Sequence, residues 1–152
     1  MIQRIQTLFL LAASVLMGLL VFIPMATIVD FKNNTFQFFS RGLIRQDMQV
    51  VIPSIPFLAI IILIAILLFL AVFLYKNRMR QIRICVFSML LLIGVHGLFM
   101  YHSSYIKKHI DILSINYNIT IMFPILSLIL VYMASRAIRK DDRLVKSYDR
   151  IR

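Results

Sequence analysis

Apolar residues gather into four long stretches that contain no Lys, Arg, Asp or Glu: Ile5 to Val29, Met48 to Tyr75, Ile84 to Ile106 and Ile112 to Ser135. Each exceeds the roughly 20 residues that a helix, rising about 1.5 Å per residue, needs to cross a hydrocarbon core about 30 Å thick. The pattern predicts an all-α transmembrane fold: a four-helix bundle in a single membrane domain over 1–152, with spans over 5–28, 54–75, 83–103 and 115–135.

Prolines and polar residues refine these elements. The first helix is expected from near Gln3 to near Ile28, with a kink or early termination at Pro24, where a missing backbone donor costs less than at mid-span. Pro53 and Pro56 open the second helix, whose first-turn donors lack intrahelical partners anyway. Between them, Phe31 to Val51 follows no single period and suggests a short strand or hairpin around Thr35 to Phe39, with a turn at Ser40-Arg41-Gly42. The third span is the most polar, and its helix is expected to continue past the membrane face into the segment from His102 to Asn118. No Gly or Pro follows Met133, so the fourth helix should run unbroken into 136–152. There Arg136, Arg139, Lys140, Arg143, Lys146 and Arg150 fall on one side at about 100° per residue, and Ala137, Leu144, Val145, Tyr148 and Ile151 roughly opposite. The C-terminal span thus extends into a cytoplasmic amphipathic helix.

A hydrophobic content of 61% and a mean hydropathy of +0.90 over 152 residues fit one compact bundle with short connections. A net charge of +11 would suggest nucleic acid in a soluble protein. Here the placement of the cations argues otherwise, and no nucleic-acid partner is expected. Twelve of the 17 Lys and Arg lie before the first span (Arg4), between the second and third (Lys76, Arg78, Arg80, Arg83) or after the fourth. The other five, Lys32, Arg41, Arg45, Lys107 and Lys108, lie on the opposite side. This is the positive-inside pattern, which places both termini in the cytoplasm.

Two groups of residues are candidates for function. At the cytoplasmic face, Arg4 and the tail residues Arg136, Arg139, Lys140, Arg143, Leu144, Lys146, Tyr148 and Arg150 form a partner- or lipid-binding surface. The cations suit anionic lipid; the apolar stripe and the interspersed Asp141 and Asp142 suit another membrane protein or a cytoplasmic partner. Inside the bundle, Ser88, Gly94, His96 and Gly97 make a polar site on the third span, and an intramembrane ionisable residue is by default a functional hypothesis. No Asp or Glu lies in any span to relay a proton, which favours a neutral His96 bonding a neighbouring helix, with the glycines allowing close approach.

No catalytic, cofactor-binding or metal site is expected. The chain has no Glu and no HExxH sequence, no Ser, His and Asp fall at one membrane depth, and His96, His102 and His109 lack a joining carboxylate or thiol. Cys85 has no cysteine to pair with and reads as a small packing residue.

The opening Met1-Ile-Gln-Arg-Ile-Gln-Thr-Leu-Phe-Leu-Leu and the closing segment from Arg136 to Arg152 resemble a family of small four-span inner-membrane proteins of Bacteroidota, catalogued as a domain of unknown function. The resemblance covers the whole chain and implies a bacterial cytoplasmic-membrane location. It brings no activity or site residues, and its distinctive positions, Gln3, Arg4, Gln6, Thr7 and Arg136 to Asp142, lie at the cytoplasmic ends. The function expected is therefore non-enzymatic: an accessory or assembly subunit that docks partners in the membrane and through its basic tail. The alternative is a small carrier or channel, active as a homo-oligomer, using His96 and the small residues of the third span.

Overall fold

The computed structural model describes residues 5–31, 34–45, 49–109 and 112–149, without the side chains of Lys76, His109 and 143–149. Four helices, α1 (Ile5–Leu19), α2 (Ile55–Phe73), α3 (Arg78–His109) and α4 (Phe123–Asp149), pack in a ring in which α1 and α3 each lie against both α2 and α4. Each helix buries a stripe at alternating spacings of four and three residues. The stripes are Gln6, Leu10, Ala13 and Met17; Phe57, Ile61, Ile64, Leu68 and Ala71; Gln81, Cys85, Ser88, Leu92 and Val95; and Ser127, Val131, Ala134 and Ile138. This is the seam spacing of nearly parallel or antiparallel helices packed knobs-into-holes. The opposite faces expose Leu8, Ile66, Leu90, Ile93 and Ile129 among many large apolar side chains. An apolar belt of that extent is foreign to a water-facing surface.

Three helical segments, Ile55–Phe73, Arg78–Lys108 and Ile119–Asp142, are long and apolar enough to cross a membrane. The fourth, α1, is shorter than the span expected over 5–28: it stops at Leu19, a length of about 22 Å at 1.5 Å per residue. Pro24 disfavours helix at the residue before it, and the β-branched run Thr27-Ile28-Val29 then continues as strand. The span expected over 115–135 is shifted toward the C-terminus, to Ile119–Asp142, because Ile112–Tyr117 is a strand, and Pro124 sits in the first turn of α4.

The fold is accordingly not all-α. Five antiparallel strands, β1 (Ala26–Asp30), β2 (Thr35–Phe39), β3 (Gly42–Arg45), β4 (Val50–Pro53) and β5 (Ile112–Tyr117), form one sheet in the order β4-β3-β2-β1-β5. The strand and turn anticipated at Thr35 to Gly42 coincide with β2 and its connection to β3. Gly42 has φ of 140°, and a Cβ there would lie 2.3 Å from the Ile52 carbonyl oxygen, so only glycine lets β3 approach β4 this closely. Both edge strands meet their neighbours with a register shift, at Val29/Asp30 and at Leu43/Ile44. Such bulges are a common way of blunting an open sheet edge.

The sheet stands on one end of the bundle. Chain order and register put Ala26, Pro53 and Tyr117 toward the ends of α1, α2 and α4, and Asp30, Thr35 and Ile112 at the other end of their strands. With 32 residues, α3 is about 48 Å long, against a hydrocarbon core of about 30 Å, and its excess length backs the sheet. The inner face of the sheet closes over the helices through Phe38, whose ring lies 6.2 Å from Phe57 and 6.0 Å from Phe99. Asn118 ties the end of β5 to the entry of β1: its backbone N–H donates to the Met25 carbonyl at 2.9 Å and its side-chain Nδ2 to the Pro24 carbonyl at 3.0 Å.

Candidate functional site

The end of the bundle opposite the sheet carries the organised polar chemistry. Asp141 lies one turn beyond the last buried residue of the α4 stripe, Ile138, and is turned toward the other helices. Its carboxylate accepts a hydrogen bond from Gln6 Nε2 of α1, and its backbone carbonyl accepts one from Arg78 Nη1 of α3 at 2.8 Å. Gln81, almost fully buried on α3, donates from Nε2 to the Ala71 carbonyl of α2 at 2.9 Å. Deeper in the bundle, Ser14 donates to the Ala65 carbonyl at 3.0 Å and Ser127 to the Ala13 carbonyl at 3.4 Å. Every seam of the ring is thus crossed by a polar side chain. Three of the acceptors are alanine carbonyls, which a small side chain leaves open to a second donor.

Around this anchored interior the cations point outward. Arg80 and Arg83 on α3, and Arg136, Arg139 and Lys140 on α4, are exposed, while Asp141 and Asp142 are half-buried. Arg78, half-buried on the Asp141 carbonyl, is the exception among these cations. The backbone of α4 runs without a break through the tail to Asp149, as its lack of Gly and Pro leads one to expect. Of the tail and N-terminal candidates, Arg4 and Arg150 lie outside the described residues, as do the side chains of Arg143, Leu144, Lys146 and Tyr148.

The intramembrane group is not one surface. Ser88 is fully buried in the α3 stripe, whereas Gly94 and Gly97 are on the exposed side, where an added Cβ would meet no atom within 4 Å. The glycines therefore do not serve close helix approach. Nor does His96 bond a neighbouring helix: its Nδ1 lies 3.0 Å from the Leu92 carbonyl, one turn back on α3 itself. A carbonyl can only accept, so this contact takes up Nδ1 as a donor and leaves the other ring nitrogen, Nε2, outside it. Among the described residues Nε2 is buried without a hydrogen-bond partner, as is the Ser88 hydroxyl. Eight residues of helix, about 12 Å, separate the two along α3.

These interhelical anchors join chain positions up to 135 residues apart. A family model matches residues 2–151. The chain belongs to the family described as Domain of unknown function (DUF4293). No curated protein matches it. In this DUF4293 chain, sequence reasoning missed Gln81 and the role of Asp141. The available signal was polarity without charge: Gln6 and Gln81 are amides at the ends of apolar runs, where a buried interhelical hydrogen bond is the economical use of such a side chain. His102 was also read too narrowly, as one histidine of a poor metal set. Its Nδ1 lies 3.0 Å from the Leu98 carbonyl, and its ring packs 5.8 Å from Phe57 and 6.4 Å from Phe38, within the aromatic closure of the sheet end. Among the described residues no group of three His, Cys, Asp or Glu could hold a metal ion.

Proposed function

We propose that this protein is a non-enzymatic accessory or assembly subunit of the bacterial cytoplasmic membrane, four-span with both termini inside, that docks other membrane proteins through its basic end and tail helix. The observation that carries this reading is the mounting of the tail. α4 leaves the bundle as a continuous helix, and Asp141 holds it to α1 and α3 just where it emerges. A helix fixed at its root presents its side chains in one orientation, which lowers the ordering cost of binding. Cations in excess on the same side suit the cytoplasmic face of the membrane.

The experiment is affinity purification of the tagged chain in mild detergent with mass spectrometry. Three forms are compared: the intact chain, the chain truncated after Ser135, and one carrying Arg143→Gln, Lys146→Gln and Arg150→Gln. Stoichiometric partners present with the first and lost from the other two are the expected result. The substituted form guards against truncation acting through the loss of Asp141. A lone monomer in all three samples overturns the reading.

The unpartnered Nε2 of His96 and Oγ of Ser88 favour a second reading, a small carrier or channel working as a homo-oligomer. The exposed position of Gly94 and Gly97 weighs against a path through all four residues of one chain. Uptake into proteoliposomes that vanishes in His96→Ala would promote this reading; no flux in the wild type removes it.

A further inference from the structure

The basic end holds a second surface, at the root of the tail, where α3 and α4 lie side by side. On α3 the exposed apolar residues Leu90, Phe87 and Val86 are followed on the same face by Arg83 and then Arg80; on α4, Ile129, Tyr132 and Met133 are followed on the same face by Arg136, Arg139 and Lys140. At 100° per residue each set falls on one side of its helix. Both neighbouring helices therefore change from outward apolar to outward cationic at the same end, with no acid between them among the described residues. Asp141, next to Lys140 in the chain, is directed inward onto Gln6, and Asp142 is half-buried.

An apolar stripe capped by cations complements one kind of molecule: acyl chains joined to a negatively charged phosphate. We propose that the α3–α4 face binds an anionic glycerophospholipid, its phosphate held by Arg83, Arg136, Arg139 and Lys140 and its chains lying along the apolar residues above them. A free anion would use the cations and leave the stripe unused. A lipid uses both, and the inward turn of Asp141 keeps a like charge away from its phosphate. The inference rests on the membrane placement proposed above but needs no partner protein, so its test uses the purified chain alone.

Native mass spectrometry of the full chain is carried out from detergent with equimolar phosphatidylglycerol and phosphatidylcholine of identical acyl chains. The expected result is phosphatidylglycerol retained over phosphatidylcholine by about tenfold or more, as clustered surface cations imply. The preference should fall to near parity in R83Q/R136Q/R139Q/K140Q and persist in K107Q/K108Q, which removes two cations at the sheet end. Should the quadruple variant fail to fold, R139Q/K140Q replaces it, with a partial loss expected. Equal retention of the two lipids by the wild type overturns the proposal, as does an equal loss in the Lys107/Lys108 variant. So does displacement of phosphatidylglycerol by inorganic phosphate, which would make this a simple anion site. Loss of the lipid preference with protein partners still recovered would refute this surface alone; the reverse would refute the assembly role alone.

Discussion

At the sheet end, Phe38 packs against Phe57, Phe99 and His102, whereas at the basic end Asp141, Gln6, Arg78 and Gln81 join the helices through directed polar bonds. Aromatic packing tolerates small displacements and gains from every Å² removed from water. A buried amide or carboxylate is satisfied in few geometries and is costly when unpaired. The sheet end is thus closed by area, and the basic end is set in register by hydrogen bonds. Register is what a projecting helix needs if partners or lipids are to meet its side chains in a defined orientation.

Four experiments would break or sharpen this contrast. Phe38→Ala should be the most damaging, costing about 3–4 kcal/mol through the cavity left among three rings. Hydrogen exchange should show the strands opening while the helices stay protected; simultaneous loss of both would mean that the two ends are one cooperative unit. Gly42→Ala should cost about 2–3 kcal/mol, because the new Cβ meets the Ile52 carbonyl in a backbone conformation that L side chains rarely adopt. Exchange of β3 and β4 amides is the readout, and unchanged protection there would refute the close approach.

At the basic end the effects should be smaller and coupled. A double-mutant cycle of Gln6→Ala and Asp141→Ala, read by thermal unfolding in detergent, should give a coupling of about 1–2 kcal/mol. Additive losses would mean that the bond between them contributes nothing. The smallest effect is expected from Gly94→Ala and Gly97→Ala, which should be neutral or stabilise α3 by up to about 1 kcal/mol, since alanine is the better helix former and the space is open. A fall in unfolding temperature on either substitution would restore the close-approach role that the structure removes.

Much of the candidate site could be read in advance, though unevenly. The cation clusters at Lys76 to Arg83 and after Ser135 marked the basic end, and the unbroken run after Met133 marked the continuous α4. The intramembrane candidates fared worse. Ser88, Gly94, His96 and Gly97 are close in sequence and alike in polarity, but only side-chain direction decides which of them face one another. Ser88 turns inward and the glycines outward. The strands Ala26–Asp30 and Ile112–Tyr117 were absorbed into membrane spans because a hydropathy sum cannot tell a strand from a helix. Alternating Ser114 and Asn116 were the overlooked sign in the second.

What the amino-acid sequence determines by itself is what depends on single residues and near neighbours: apolar stretches long enough for a bilayer, an asymmetric distribution of cations, the turn before Gly42, and a tail with nothing to interrupt a helix. Transfer energies, formal charges and local backbone preferences are properties of the residue and its immediate surroundings. Only the tertiary structure decided which apolar runs pair as strands, which stripe of the uniformly apolar α2 is buried, and that Asp141 faces inward while its neighbouring cations face out. Those outcomes depend on contacts such as Ala26 with Tyr117 and Gln6 with Asp141, between residues far apart in the chain. Such contacts form once the ring of helices brings their backbones together, and no local pattern encodes them.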